Sequence, residues 1–167
     1  MKKNLTHKIR LQFFVLFFIF SGVNLKSVEG QMVYMPDAGL RLYLSYWGCG
    51  SCITGDSINS SCPSVISTHR LILNRDYQNN PTINDLQGIQ VFANLDTLTV
   101  RNQPLSNIPP LPNSLIYLDC SGNSLTNLPA LPTSLIYFDC SQNIFTTLPF
   151  LRNDNRIIFR KINRIII

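Results

Sequence analysis

The stretch from Trp47 to Cys62, WGCGSCITGDSINSSC, holds the residues best suited to chemistry. Cys49 and Cys52 have the CxxC spacing of redox dithiols, where a helix N-terminus lowers the thiol pKa. Redox use needs a strand before the motif in a βαβ pattern, and none is legible. Zinc would need more ligands, yet apart from His7 the only histidine is His69. Asp56 is the only carboxylate in the stretch, too little oxygen for calcium. Cys62 offers a simpler outcome, a loop-closing disulfide with Cys49 or Cys52. With five cysteines in all, at least one thiol stays free or pairs between molecules. Asp119 and Asp139 are the only carboxylates that the sequence places together, and beyond residue 30 there is no glutamate. Such a chain is poorly stocked for acid–base catalysis. No catalytic residue, metal or cofactor is expected.

The N-terminus carries its own pattern. Lys2, Lys3, Lys8 and Arg10 precede an apolar run from Leu11 to Phe20, too short to span a bilayer core of about 30 Å. Val28-Glu29-Gly30 supplies small residues at the positions a signal peptidase reads, so residues 1–30 are expected to be a signal peptide cleaved after Gly30. The mature protein is then secreted or at the cell surface, with no stable membrane anchor. Without that segment nine basic residues face eight acidic ones, which argues against a nucleic-acid partner. The remaining charge is uneven: residues 31–151 hold four Arg against seven Asp, while Arg152, Arg156, Arg160, Lys161 and Arg164 crowd the end.

What must position these residues is a repeat. SLIYLDCSGNSLTNLPALPT from Ser114 returns as SLIYFDCSQNIFTTLPFLRN from Ser134. Aligned on this period, apolar residues fall in columns: Leu95, Leu115, Leu135; Leu98, Leu118, Phe138; Val100, Cys120, Cys140; Leu105, Leu125, Phe145; Ile108, Leu128, Leu148; Leu111, Leu131, Leu151. Leu118 and Cys120 alternate with Tyr117, Asp119 and Ser121, as in a strand with one covered face. Because Val100 shares their column, Cys120 and Cys140 read as stacked, reduced core residues. Pro109, Pro129 and Pro149, with Pro112 and Pro132, fix φ and remove donors, favouring an extended return over a helix.

The pattern LxxLxCxxNxLxxLPxLPxS resembles the short, twenty-residue leucine-rich repeats of secreted bacterial proteins. The resemblance implies a leucine-rich-repeat solenoid: a short parallel β-sheet on the concave side, an extended, polyproline-like convex side, and a small helical N-terminal cap. It makes Asn123 and Asn143 ladder residues that bond the backbone of adjacent turns. Gln103 stands in that column with an extra methylene, predicting a looser first unit. Residues 31–94 form the cap and first strand. In it, VYMPDAGLRLYL and INDLQGIQVFANL resemble the leading segments of such proteins. Asp37 caps a helix bearing Leu40, Tyr43, Leu44 and Trp47, a second helical pattern runs from Asp85 through Leu86, Ile89 and Phe92, and Arg70 to Leu73 begins the sheet. Repeats span residues 95–151. Continued, the period gives Asn155, Ile158, Arg160, Asn163 and Ile165, with Asn155 and Arg160 in core slots. Residues 152–167 are therefore a degenerate fourth repeat or a tail, with an amphipathic helix through Ile158, Ile162 and Ile165 as the rival.

The strand face would then present Thr97, Tyr117, Tyr137 and Ile157; Thr99, Asp119, Asp139 and Phe159; and Arg101, Ser121, Ser141 and Lys161. Tyrosines among short polar residues suit contact with a protein or peptide. The expected function is a secreted, non-catalytic protein-binding module. Alternatives are a non-functional fragment of a longer array, or the recognition part of a ubiquitin-ligase effector of the kind that carries this repeat type, lacking its catalytic domain.

Overall fold

The computed structural model describes residues 30–76, 80–145 and 158–160, so the expected signal peptide, the columns through Leu148, Pro149 and Leu151, and most of the tail lie outside the described residues. The cap opens with β1 (Met32–Tyr34), which pairs antiparallel with β3 (Ser57–Asn59), itself paired with β2 (Ile53–Thr54). Helix α1 (Ala38–Leu44) starts at Asp37, whose Oδ1 accepts from the Leu40 amide at 2.7 Å. It buries Leu40, Tyr43 and Leu44. Trp47 does not join that face: the chain leaves α-helical geometry after Leu44, Gly48 takes φ 86°, and Trp47 is 46% exposed. A short helix α2 (Pro63–Ile66) follows.

Asp37 also determines how the cap is closed. Its Oδ2 accepts from the backbone amides of Asn84 and Asp85 at 2.9 and 3.2 Å, so one buried carboxylate caps α1 and holds a loop 47 residues away. The approach is close: a Cβ on Gly39 would lie 1.9 Å from the Thr82 carbonyl oxygen. The helical pattern from Asp85 is realised only as a single 3₁₀ turn, Ile89–Val91, because Gly88 before it sits at φ 97°. Leu86, Ile89 and Phe92 are nevertheless fully buried, so the apolar spacing identified core positions without a helix.

From here the chain builds a parallel sheet in sequence order: β4 (Arg70–Ile72), β5 (Thr97–Thr99), β6 (Tyr117–Asp119), β7 (Tyr137–Asp139) and β8 (Ile158–Arg160). The central register is the one the repeat period requires, Leu98 opposite Leu118 and Leu118 opposite Phe138. Between the strands, residues 100–116 and 120–136 contain neither helix nor strand. One core runs from Met35 to Phe145, with Val100, Cys120 and Cys140 stacked in it at 0–1% exposure.

The fourth unit departs from the expected period. Ile158, Phe159 and Arg160 pair with Tyr137, Phe138 and Asp139, so β8 is offset by 21 residues rather than 20. A one-residue slip exchanges the two faces of a strand. Phe159 thus takes the register position of Leu118 and Phe138 instead of continuing the Asp119–Asp139 column, and Ile158 stands opposite Tyr137 where Ile157 was expected. Arg160 accordingly stands in register with Asp139, where the twenty-residue period would have set it against Cys140. The rival helix is not formed at residues 158–160.

Asp37→Ala should lower stability by about 2–4 kcal/mol, since it removes a helix cap together with the bonds that hold the Asn84 and Asp85 amides. Urea denaturation would show this as a lower midpoint with an unchanged slope, and Asp37→Asn should recover part of the loss.

Candidate functional site

The thiols sort themselves first. Cys52 and Cys62 form a disulfide with a Cα–Cα distance of 5.7 Å, tying the β2–β3 hairpin to the start of α2. Cys49 is free and buried, and desolvation raises its pKa. The CxxC pair is therefore split between a structural bridge and a protonated core thiol, the opposite of a redox-active dithiol. Cys120 and Cys140 are free as well. Burial pushes Cys120 well above its ordinary value, with Cys140, Asp119 and Asp139 adding to the rise, and pushes Cys140 up to about 11. Both stay protonated near neutral pH and pack as small core residues. No group of three metal-ligating side chains comes together among the described residues.

Behind the strand face stands the amide ladder. Asn143 donates to the carbonyls of Cys120, Cys140 and Ser141 at 2.9–3.2 Å and accepts from the Leu125 amide at 3.0 Å. Asn123 donates to Val100, Cys120 and Ser121 in the same way. Gln103 is not looser. It is 2% exposed, and its longer side chain spans to the Leu73 carbonyl at 2.8 Å and the Ile83 amide at 2.9 Å. The first unit is preceded by a longer excursion, and the added methylene bridges it. Before each ladder residue the chain takes a left-handed turn, at Asn102 (φ 57°), Gly122 (φ 69°) and Gln142 (φ 55°). A second ladder, visible only in three dimensions, lies at the strand entry. Ser114 Oγ donates to the Leu95 carbonyl at 2.7 Å and Ser134 Oγ to that of Leu115 at 2.6 Å.

The face this frame presents brings together the nine residues expected there. Tyr117 and Tyr137 stack with ring centroids 4.2 Å apart and planes 2° from parallel. Beside them the Asp119 and Asp139 carboxylates are turned back on their own chain. Asp119 Oδ1 accepts from the Ser121 amide at 3.1 Å and its hydroxyl at 2.7 Å, and Asp139 Oδ1 accepts from the Ser141 amide at 2.9 Å. Both aspartates are buried, at 6% and 8% exposure, so this column is a polar floor more than a solvated strip. Arg101 reaches Asp119 at 3.9 Å and Asp76 at 3.5 Å. Thr97 donates to Asp96 at 2.7 Å, while the Thr99 hydroxyl is buried and unpartnered among the described residues. Lys161, expected to extend the Arg101, Ser121 and Ser141 column, lies outside the described residues. The sequence columns missed Ile116 and Ile136, which flank the tyrosines at 44% and 50% exposure. Their signal was available: two isoleucines at the same repeat position, next to a strand residue that points outward.

A parallel sheet in repeat register, a buried amide at the same place in each turn and returns without helix give a leucine-rich-repeat-like fold. No family model matches the chain, and no curated protein matches it. Among solved structures it is similar to YopM from Yersinia enterocolitica WA-314, with 23% sequence identity and a TM-score of 0.47. The match covers 74% of this chain and 29% of that one, so this chain spans under a third of its length.

The tyrosine stack has a pH signature. Desolvation, then the hydrogen bond to Tyr137 and the nearby Tyr137 and Asp119 charges, push Tyr117 up to about 12, against an opposing pull from Arg101. The unfolded phenol ionises near its ordinary value of 10.0. The folded state therefore holds its proton where the unfolded state has lost it. The stabilisation is complete below pH 10 and declines as pH rises from about 10 to about 12. Urea midpoints measured across that range should fall, and Tyr117→Phe should flatten the decline.

Proposed function

We propose that this chain is a secreted, non-catalytic protein-binding module of the leucine-rich-repeat solenoid type, which captures a protein or peptide partner on its strand face. The observation that carries this reading is the stacked Tyr117–Tyr137 pair, held on adjacent strands and flanked by exposed Ile116 and Ile136. Stacking and the sheet have already ordered these side chains, so binding would lose little side-chain entropy. Rigid aromatic residues beside aliphatic ones are the composition of binding hot spots. The carboxylates fit a binding role, because each accepts a hydrogen bond from its own chain's Ser121 or Ser141. Secretion rests on the N-terminal signal pattern, which also suits the Cys52–Cys62 disulfide.

Affinity capture from the protein's own secretion environment tests the reading. Tyr117→Ala combined with Tyr137→Ala should reduce the recovered partner at least tenfold while the cooperative unfolding transition persists. Equal recovery by the folded double variant would remove the strand face as the binding surface.

A further inference from the structure

The cap carries a second surface that the strand face does not explain. Arg41 and Asp56 are the only charged residues between positions 38 and 68. Arg41 donates from Nη1 to the Met35 carbonyl, and Asp56 lies in the β2–β3 turn, where its carbonyl accepts from the Met35 amide. Within this stretch the fold leaves large apolar side chains outside. Helix α1 turns Leu40, Tyr43 and Leu44 inward, so Leu42 and Tyr46, four residues apart, share its outer side. Gly48, at φ 86°, then ends the turn and leaves Trp47 exposed beside them. Helix α2 packs against this turn and adds half-exposed Ile66. Tyr46 is 72% exposed, more than any other large apolar residue among the described residues, and a Cβ at Gly48 would meet nothing within 4 Å. The patch is a projecting tip.

Its chemistry selects the partner. Apolar side chains gathered on a surface mark an interaction site. A stable protein interface takes about 800 Å² from each partner, and four partly exposed side chains fall short of that. A lipid surface asks for less. It needs no matching cavity, accepts aliphatic side chains at the acyl boundary, and suits tyrosine and tryptophan rings at headgroup level. It also penalises carboxylates, because the surface of an anionic leaflet is negative. Between positions 38 and 55 there are none, and the single charge is the positive one of Arg41.

We propose that the cap tip formed by Leu42, Tyr46, Trp47 and Ile66 is a site for shallow, reversible contact with a lipid surface. Such contact is distinct from an anchor, and among the described residues no helix is long and apolar enough to cross a membrane. The site shares no residue with the strand face and does not depend on what that face binds.

Trp47 is the only tryptophan of the chain, so its fluorescence reports on the tip directly. The full chain is mixed with vesicles of phosphatidylcholine and phosphatidylglycerol whose acyl chains carry bromine, a short-range quencher. Emission should move to shorter wavelength and fall at least twofold relative to unbrominated vesicles. In Leu42→Ser with Tyr46→Ser, and separately in Ile66→Ser, that quenching should drop by at least half, so a folding defect in one variant does not decide the result. Tyr117→Ala with Tyr137→Ala should leave it unchanged, which separates the tip from the strand face. Unquenched Trp47 on vesicles that the protein does bind overturns the proposal, since the contact then lies elsewhere in the chain, and absence of binding overturns it equally. A shift that appears without vesicles and grows with protein concentration would assign the tip to a second copy and also overturns it.

Discussion

The structure depends on one recurring constraint: each turn of the repeat leaves backbone carbonyls inside the molecule, and a buried amide must satisfy them. Asn123 and Asn143 each donate to carbonyls of their own turn and of the turn before, while Gln103 does the corresponding work toward Leu73. An unpaired buried polar group costs about 1–3 kcal/mol, so a ladder of this kind holds the turn-to-turn register as firmly as the apolar columns around it. The left-handed residues at 102, 122 and 142 follow from the same demand, since the chain must reverse sharply to bring the next side chain back beneath the sheet. Only one of the three is glycine. Glycine adopts this conformation without a Cβ penalty, and a Cβ at Gly122 would also displace the Asn102 side chain, whose Oδ1 would lie 2.3 Å away.

The cap solves a different problem with the same economy of groups. A stack of short turns has an apolar end, and here α1, the small antiparallel sheet and the Ile83–Phe92 segment cover it with fully buried Leu40, Leu44, Ile58, Leu86 and Phe92. Asp37 joins two of these pieces through three amides, and the Cys52–Cys62 bridge closes the hairpin beside them. Cys49 stays outside the bridge, free and buried in the core. A raised thiol pKa is the electrostatic record of that burial.

On the strand face, order is set by the sheet. Registering Tyr117 against Tyr137 places two rings at stacking distance, and the adjoining carboxylates are fastened to Ser121 and Ser141. The face is therefore preorganised and only moderately polar, despite its two aspartates.

Much of this was legible in the residues themselves. The twenty-residue period, the inward Leu–Cys column, the outward Tyr–Asp–Ser set, the Asp37 cap and the ladder positions are local patterns, repeated often enough to be unambiguous. Tertiary structure alone decided the rest. Whether Cys49 or Cys52 meets Cys62 depends on the path of a loop, and the second oxygen of Asp37 finds its amides 47 residues away. The 21-residue step into β8 sets Phe159 opposite Phe138 where a strict period would set Ile158, a choice of register that the spacing of Ser114 and Ser134 does not contain. Sequence encodes which side of a strand is apolar because side chains alternate with every residue. It does not encode the register between distant strands, because that is set by the turns and core they must share.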